Sequence, residues 1–334
     1  MATIKDVARA ANVSIATVSR VLNNKSGFSE DTRKAVEEAI EELGYVPNGV
    51  ARGLISKRTN TIGLLVPALS SMLVSEMVSG IERIVHEQGS SLIVCHTESN
   101  GKKTMQYLQL LLAKQVDGII FTSGVLLQEY YQMIERSGIP LVLLSTESLH
   151  LPVPSVKVND RLASFHATEY MIQHGHKKIG MISGNRNDMI AGVPRVEGFR
   201  MALSSHQIHF EESMIASHRG FSYIDGATAF RKLMTDHPDI TAIVAASDDM
   251  ALGMISEAFK MGIKIPEQVS VIGYDNIPIC NVSIPPLTTI SQPVAKMGEV
   301  AAKMVLDMIH GDEKQESVVF PHEIIERQSV KKMN

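Results

Sequence analysis

Few side chains in this 334-residue sequence are spaced for bond-making chemistry. His174 and His176 share the stretch HGHKK, but no third ligand at HExxH or CxxC spacing accompanies them. The pair therefore reads as loop histidines, and no metal site is expected. No GxSxG elbow appears, and Cys95 and Cys280 each lack the second cysteine of a CxxC motif. Asp248 and Asp249 could mimic a carboxylate dyad, but adjacent positions at a strand end diverge. No GxGxxG fingerprint follows a strand-like run and GxxxxGK[ST] is absent, which argues against a dinucleotide or P-loop nucleotide. The remaining chemistry is recognition: neither enzyme activity nor a cofactor is expected.

The stretch VSIATVSRVLN, residues 13–23, carries a single charge. On a wheel of 100° per residue, Ile15, Ala16, Ser19, Arg20 and Asn23 share one arc. Val18, Val21 and Leu22 lie opposite, with Ser14 and Thr17 at the edge. A solvated helix of a small bundle would show the same wheel, except that Ile15 would then waste a large apolar side chain on the polar arc. In a DNA major groove, Ile15 would meet thymine methyl groups and Arg20 could pair with guanine.

The elements that must position this helix are short. Thr3 is placed to cap a first helix with Ile4, Val7, Ala8 and Ala11 on one face. Asn12 follows, a residue that tolerates the left-handed conformation of a tight turn. The second helix begins near Ser14, and Ser29 caps a third that runs to Gly44. Past residue 60 the pattern changes. Apolar runs such as TIGLLVP, SLIVCHT, VDGIIFTS, IPLVLLS, KKIGMISG, ITAIVAAS and VSVIGYD alternate with helix-length amphipathic stretches. That alternation predicts α/β lobes with parallel, doubly wound sheets covered on both faces, two such lobes in succession, and ligands at the carboxyl ends of the strands.

Bulk properties agree. Hydrophobic content of 44% and charged content of 20% are ordinary for a globular protein. Net charge is −4, yet residues 1–60 carry nine Lys/Arg against seven Asp/Glu. The sign suits a DNA-facing head on an acidic body. No apolar run approaches the roughly 18 residues of a membrane span, and the N-terminus has no charged–apolar–cleavage pattern. A cytoplasmic, nucleoid-associated protein with free thiols and no membrane contact is expected.

These segments together resemble the LacI/GalR family of bacterial transcription regulators, nearly end to end. TIKDVARAANVSIATVSRVLNN is similar to the family helix-turn-helix, and YVPNGVARGLISKRTNTIGLLVP to its hinge and first core strand. RVEGF, SDDMALG, VSVIGYDN and PPLTTISQP follow in the family's order. The resemblance implies an all-α head at residues 1–46, a hinge helix and linker at 47–60, and a periplasmic-binding-protein-type core at 61–334. Within that core it implies a first lobe of about 61–160 plus 291–322 and a second of about 161–290 plus 323–334. It implies base reading by Ile15, Ala16 and Arg20, and phosphate contacts from Ser14, Thr17 and Ser19. In the hinge, Leu54 would act as a minor-groove wedge beside Asn48, Val50, Ala51 and Arg52. Gly49 and Gly53 make so short a helix marginal without DNA.

For the cleft, the resemblance implies contacts from Arg195, Phe221, Ser247, Asp248 and Asp275. Arginine and carboxylates suit vicinal hydroxyls, and an aromatic face suits a pyranose. Ser70 and Ser71 would add hydroxyls, although a helix N-cap explains either as well. Leu73 and Val74 stand where purine-binding relatives carry aromatics, and Ser145 where some members have aspartate. Arg186 reads first as a solvated loop arginine and second as the partner of a phosphorylated sugar. The expectation is a repressor of carbohydrate-utilisation genes. It binds a palindromic operator in double-stranded DNA as a homodimer and answers to a sugar or sugar phosphate. The end at ERQSVKKMN, without leucine heptads, favours the dimer over a tetramer. A phosphorylated carrier protein acting near Lys303 ranks second. A nucleobase effector, or a sugar-binding protein without a regulatory role, ranks lower.

Overall fold

A computed structural model describes residues 2–22, 26–45, 58–98, 103–148, 150–312 and 315–333. The chain forms two compact units, Met1–Thr59 and Asn60–Asn334. Asn23 and the expected hinge positions Asn48, Val50, Ala51, Arg52 and Leu54 lie outside the described residues.

The first unit contains α1 (Ile4–Ala10), α2 (Ile15–Leu22) and α3 (Glu30–Glu42). Thr3 opens α1 by donating from its N–H and its Oγ1 to the Asp6 carboxylate, at 3.0 and 2.7 Å. These bonds, the hydroxyl's first, hold the Asp6 carboxyl below its usual range. Asn12 takes φ 52°, the left-handed step that reverses the chain between α1 and α2. Ser14 and Ser29 accept from the N–H groups of Thr17 and Thr32, at 3.1 and 3.2 Å, and so start α2 and α3. Val7, Ala8, Val18, Val21, Val36 and Ala39 fill the space between the three helices. Full burial of each such valine is worth roughly 1.5–3 kcal/mol, enough to set which face of α2 turns inward.

In the second unit, β1 (Thr61–Val66), β2 (Ser91–His96), β3 (Gly118–Phe121), β4 (Leu141–Leu144) and β5 (Ser155–Val158) build one sheet. A late strand, β11 (Val318–Phe320), completes it in the order β11-β5-β4-β3-β1-β2, all parallel. The second sheet has the order β12-β10-β9-β8-β6-β7. It comprises β6 (Ile179–Ser183), β7 (Ile215–Ser217), β8 (Ala242–Ala245), β9 (Ser270–Asp275), β10 (Thr288–Ser291) and the antiparallel β12 (Glu323–Ile325). The chain thus passes between sheets after β5, after β10 and between β11 and β12.

Helices cover both faces of each sheet. The first lobe carries α4 (Met72–Glu87), α5 (Thr104–Ala113), α6 (Gln128–Ser137) and the returning α11 (Val294–Ile309). The second carries α7 (Asp160–Gln173), α8 (Gly192–Ser205), α9 (Tyr223–Asp236) and α10 (Asp248–Lys260). Successive residues of β1 show why its run is apolar throughout. Ile62, Leu64 and Val66 pack in the cluster with Met77 and Met297, whereas Leu65 packs on the other side with Leu108 and Leu111. Leu73 packs against the cores of both lobes. Among the described residues, no helix is long and apolar enough to cross a membrane.

The left-handed turn yields a test. Asn12→Gly should leave stability within about 0.5 kcal/mol, whereas β-branched Asn12→Val should cost about 1–2 kcal/mol in the chemical denaturation of the head.

Candidate DNA-reading surface and effector cleft

On α2 the burial of Val18 and Val21 turns the opposite arc to solvent. Ser14, Ala16 and Arg20 are exposed, and Ile15 keeps 46% of its surface in water. Thr17 and Ser19 are half-buried at the edges. The Ser14 and Thr17 hydroxyls lie 2.8 Å apart, so Ser14 serves as a cap as well as lying on this face. A Cβ at Gly27 would meet Arg20 Nη1 at 3.1 Å, which places the guanidinium over the turn leading to α3. The arrangement offers one cationic fork beside an apolar knob on an otherwise small-residue face. Such a surface can lie close to a duplex groove.

The cleft is built around Arg195 on α8. The residue is only 8% exposed, so its charge must be neutralised where it lies. Asp160, the first residue of α7, accepts from Arg195 Nε at 2.9 Å and from Nη2 at 2.8 Å. Nη1 donates to the carbonyl of Ala246, just past β8. The Tyr274 ring lies under the guanidinium carbon at 3.7 Å, and its hydroxyl donates to Asp160 at 3.1 Å. Burial works against the charge of Arg195, but Asp160 outweighs it, and the group is held above its ordinary pKa. Gly198 of RVEGF makes the approach of α8 to α7 possible, because a Cβ there would lie 2.1 Å from the Arg161 carbonyl oxygen. Removing one partner from such a buried pair costs about 3–5 kcal/mol.

Asp275 ends β9 with φ 125°, a conformation that turns the chain sharply out of the sheet, and accepts from Gln292 Nε2 at 2.6 Å. Burial raises its carboxyl well above the usual range; Arg195 opposes the rise and Asp248 adds to it. The Phe221 ring sits against Gly184, where a Cβ would come within 2.7 Å of ring carbons, and its centroid is 6.0 Å from the Arg195 guanidinium. Ser145, after β4, has φ 55° and a buried Oγ without a hydrogen-bond partner. Ser183, ending β6, is fully buried and its Oγ is also unpartnered. Two unsatisfied hydroxyls at strand carboxyl ends are what a polar ligand would complete.

Other positions named from the sequence are placed differently. Ser247 caps α10 by accepting from Met250 N–H at 3.1 Å and donates to the Phe221 carbonyl at 2.9 Å. Asp248 is fully buried, accepting from Thr289 Oγ1 at 2.5 Å and Ile277 N–H at 2.9 Å. Both are engaged within the second lobe, Ser247 at the start of α10 and Asp248 between the ends of β9 and β10. Val74 is a core residue of α4, packed with Met77 and Ile81. Ser71 is the N-cap residue of α4, and Ser70 is exposed just before it. Arg186 donates to Ile215 O at 2.7 Å and Ser217 Oγ at 3.1 Å. His176, buried, bonds to Thr241 and to the Lys331 carbonyl, and no group of three metal-ligating side chains occurs among the described residues.

Sequence reading missed Asp160, Tyr274, Gln292 and Ser183. Asp160 reads as an acidic first-turn residue, Tyr274 and Ser183 as parts of apolar strands, and Gln292 as a linker residue.

Head and core define a class: a helix-turn-helix unit followed by a two-lobed ligand-binding core. Comparison with known proteins agrees. Residues 3–48 match the model of "Bacterial regulatory proteins, lacI family". Residues 59–328 match "Periplasmic binding proteins and sugar binding domain of LacI family". The chain is 37% identical to catabolite control protein A of Priestia megaterium, over 98% of this chain and 99% of that protein. It is likewise 37% identical to the HTH-type transcriptional repressor PurR of Vibrio atlanticus (strain LGP32), over 100% of both. The solved lac repressor dimer bound to operator and the anti-inducer ONPF superimposes with a TM-score of 0.87 at 28% identity, covering 99% of each chain. The protein belongs to the LacI family. It is a DNA-binding transcriptional repressor with a ligand-binding core, and not an enzyme.

The raised Asp275 carboxyl has a pH consequence. The folded chain keeps this proton to higher pH than the unfolded chain, so the group favours folding in acid and loses that contribution as pH rises through its folded-state value. Asp275→Asn should therefore flatten the fall in ligand-free stability between about pH 5 and 8, with urea midpoints above those of the parent at the alkaline end.

Proposed function

We propose that this repressor controls carbohydrate-utilisation genes, binding a palindromic operator as a homodimer and answering to a sugar or sugar phosphate between its lobes. The observation that carries the effector reading is the buried Arg195–Asp160 pair beside Asp275, with Phe221 against it and unpartnered hydroxyls at Ser145 and Ser183. A guanidinium, a carboxylate, hydroxyls and one aromatic face are the donor, acceptor and stacking set that a pyranose requires. The matched family model, which describes a sugar-binding domain, supports the same class. Aliphatic Leu73 and Val74 offer no stacking face to a purine. Lys303 is exposed on α11, but Lys296 and Arg83 on that side are both paired with Glu299, which leaves a weak patch for a phosphorylated carrier.

On the DNA side, Ile15, Ala16 and Arg20 read base edges, Ser14, Thr17 and Ser19 position the head on phosphates, and the 47–60 segment supplies the hinge with Leu54 as wedge. Ligand changes the angle between the lobes, the spacing of the two hinges follows, and the DNA-bound population shifts. The second subunit covers apolar side chains on the second lobe. Tyr223, Ile224, Phe259, Val282 and Ile284 are each at least 60% exposed, more apolar surface than a monomer keeps without use.

Two measurements check this reading. Selection from random duplexes should return a palindrome, and Arg20→Ala should weaken its binding by about 1–3 kcal/mol per lost base contact while nonspecific, salt-sensitive binding persists. Equal loss on all sequences would remove the reading role of Arg20. Val282→Asp with Ile284→Asp should yield monomers in sedimentation with greatly weakened operator binding; an intact dimer would place the interface elsewhere.

A further inference from the structure

Two histidines meet where the chain makes its last passage between the sheets. β11 ends at Phe320 and β12 begins at Glu323, so this connection consists of Pro321 and His322. His166 lies on α7, the second-lobe helix that follows the first connection. Its Nδ1 stands 2.8 Å from His322 Nε2, across 156 residues of sequence, and the ring centroids are 5.0 Å apart. Phe165 packs edge-on to His166 at 5.8 Å. On the same helix Ser164 donates to the Arg195 carbonyl at 2.6 Å, which ties α7 to α8. The imidazole pair therefore fastens a two-residue connection to a helix that is itself anchored in the second lobe.

A bond between two imidazole nitrogens needs one that carries a proton and one that does not. Two neutral rings meet that condition, and so does a pair holding one extra proton. A second extra proton leaves two donors face to face with two positive charges between them, and the bond is lost. The surrounding charges are already engaged. Asp160 is held by Arg195, Arg161 by Glu197, and Lys157 of β5 by Glu147. Glu169 lies 3.5 Å from His206, Glu326 takes the Tyr170 hydroxyl, and Glu323 is exposed. Burial and His166 hold His322 below the ordinary histidine range, and Asp160 opposes them. The folded chain thus binds this proton less readily than the unfolded chain. The contribution of the neutral ring is complete above the ordinary histidine range and is lost as pH falls through the lowered value.

We infer that His166 and His322 form a proton-sensitive latch on the last connection between the lobes, closed at neutral pH and released in acid when both rings are charged. Release frees Pro321 and His322 from α7 at a link where few residues are present to absorb a hinge rotation. The latch does not depend on which effector the cleft takes.

The test uses the full chain. In side-chain spectra of the histidine-labelled protein, the pair should take up its protons in two separate steps, the second below the ordinary histidine range. His166→Gln should raise the His322 midpoint. In hydrogen exchange corrected for intrinsic rates, the 318–325 backbone should lose at least about tenfold protection between about pH 7.5 and 5. His166→Gln with His322→Gln, whose amides can bond at any pH, should show no such loss. Two rings that titrate independently at ordinary histidine values overturn the inference. So does protection of 318–325 that is the same at both pH values in the parent, or that falls equally in the double variant.

Discussion

A guanidinium buried inside an α/β lobe is unfavourable by several kcal/mol unless a carboxylate and further acceptors meet it in good geometry. Arg195 meets that condition through Asp160, the Ala246 carbonyl and the Tyr274 ring. Much of the local architecture follows from it. α8 must approach α7 closely enough for the pair to form, and only glycine at 198 leaves room for the Arg161 backbone. Asp160 must begin a helix immediately after β5, which is also where the chain leaves the first sheet. The pair therefore stands at one of the connections between the lobes.

The two parallel sheets explain why the polar groups collect where they do. Strands buried on both faces leave no room for charge along their length, so function is confined to residues just past their carboxyl ends. Asp275, Ser183 and Ser145 all occupy such positions. Asp248, at the start of α10, contributes differently: it accepts from Ile277 and Thr289 and so holds the β9 and β10 ends in register. A carboxylate in the right stretch of sequence is thus a structural strut.

The fold class was legible because it depends on periodicity. Uninterrupted runs such as TIGLLV imply two covered faces, and the packing of Ile62 and Leu64 against one side and Leu65 against the other is the physical counterpart. Three short head helices were legible from caps: Thr3, Ser14 and Ser29 act locally, within three residues, so sequence spacing alone locates them. Arg195 and Asp275 were singled out through family motifs, and the fold buries both close enough for each to feel the other's charge. Asp160 and Tyr274 were not, since their importance lies in contacts 35 and 114 residues away in sequence. Val74 was named because it stands where purine-binding relatives carry aromatics, whereas helical phase with Met77 and Ile81 places it in the core.

The sequence by itself determined what depends on near neighbours: strand and helix periods, capping residues, the left-handed turn at Asn12, and the division of α2 into an apolar and an exposed face. Tertiary structure decided that Asp248 is a strut, that burial raises the Asp275 carboxyl, that Arg195 is already neutralised, and which hydroxyls remain without partners. Those properties are sums over groups distant in sequence. Burial and electrostatic balance have no local signature, because a carboxylate acquires its role only once folding has fixed what surrounds it.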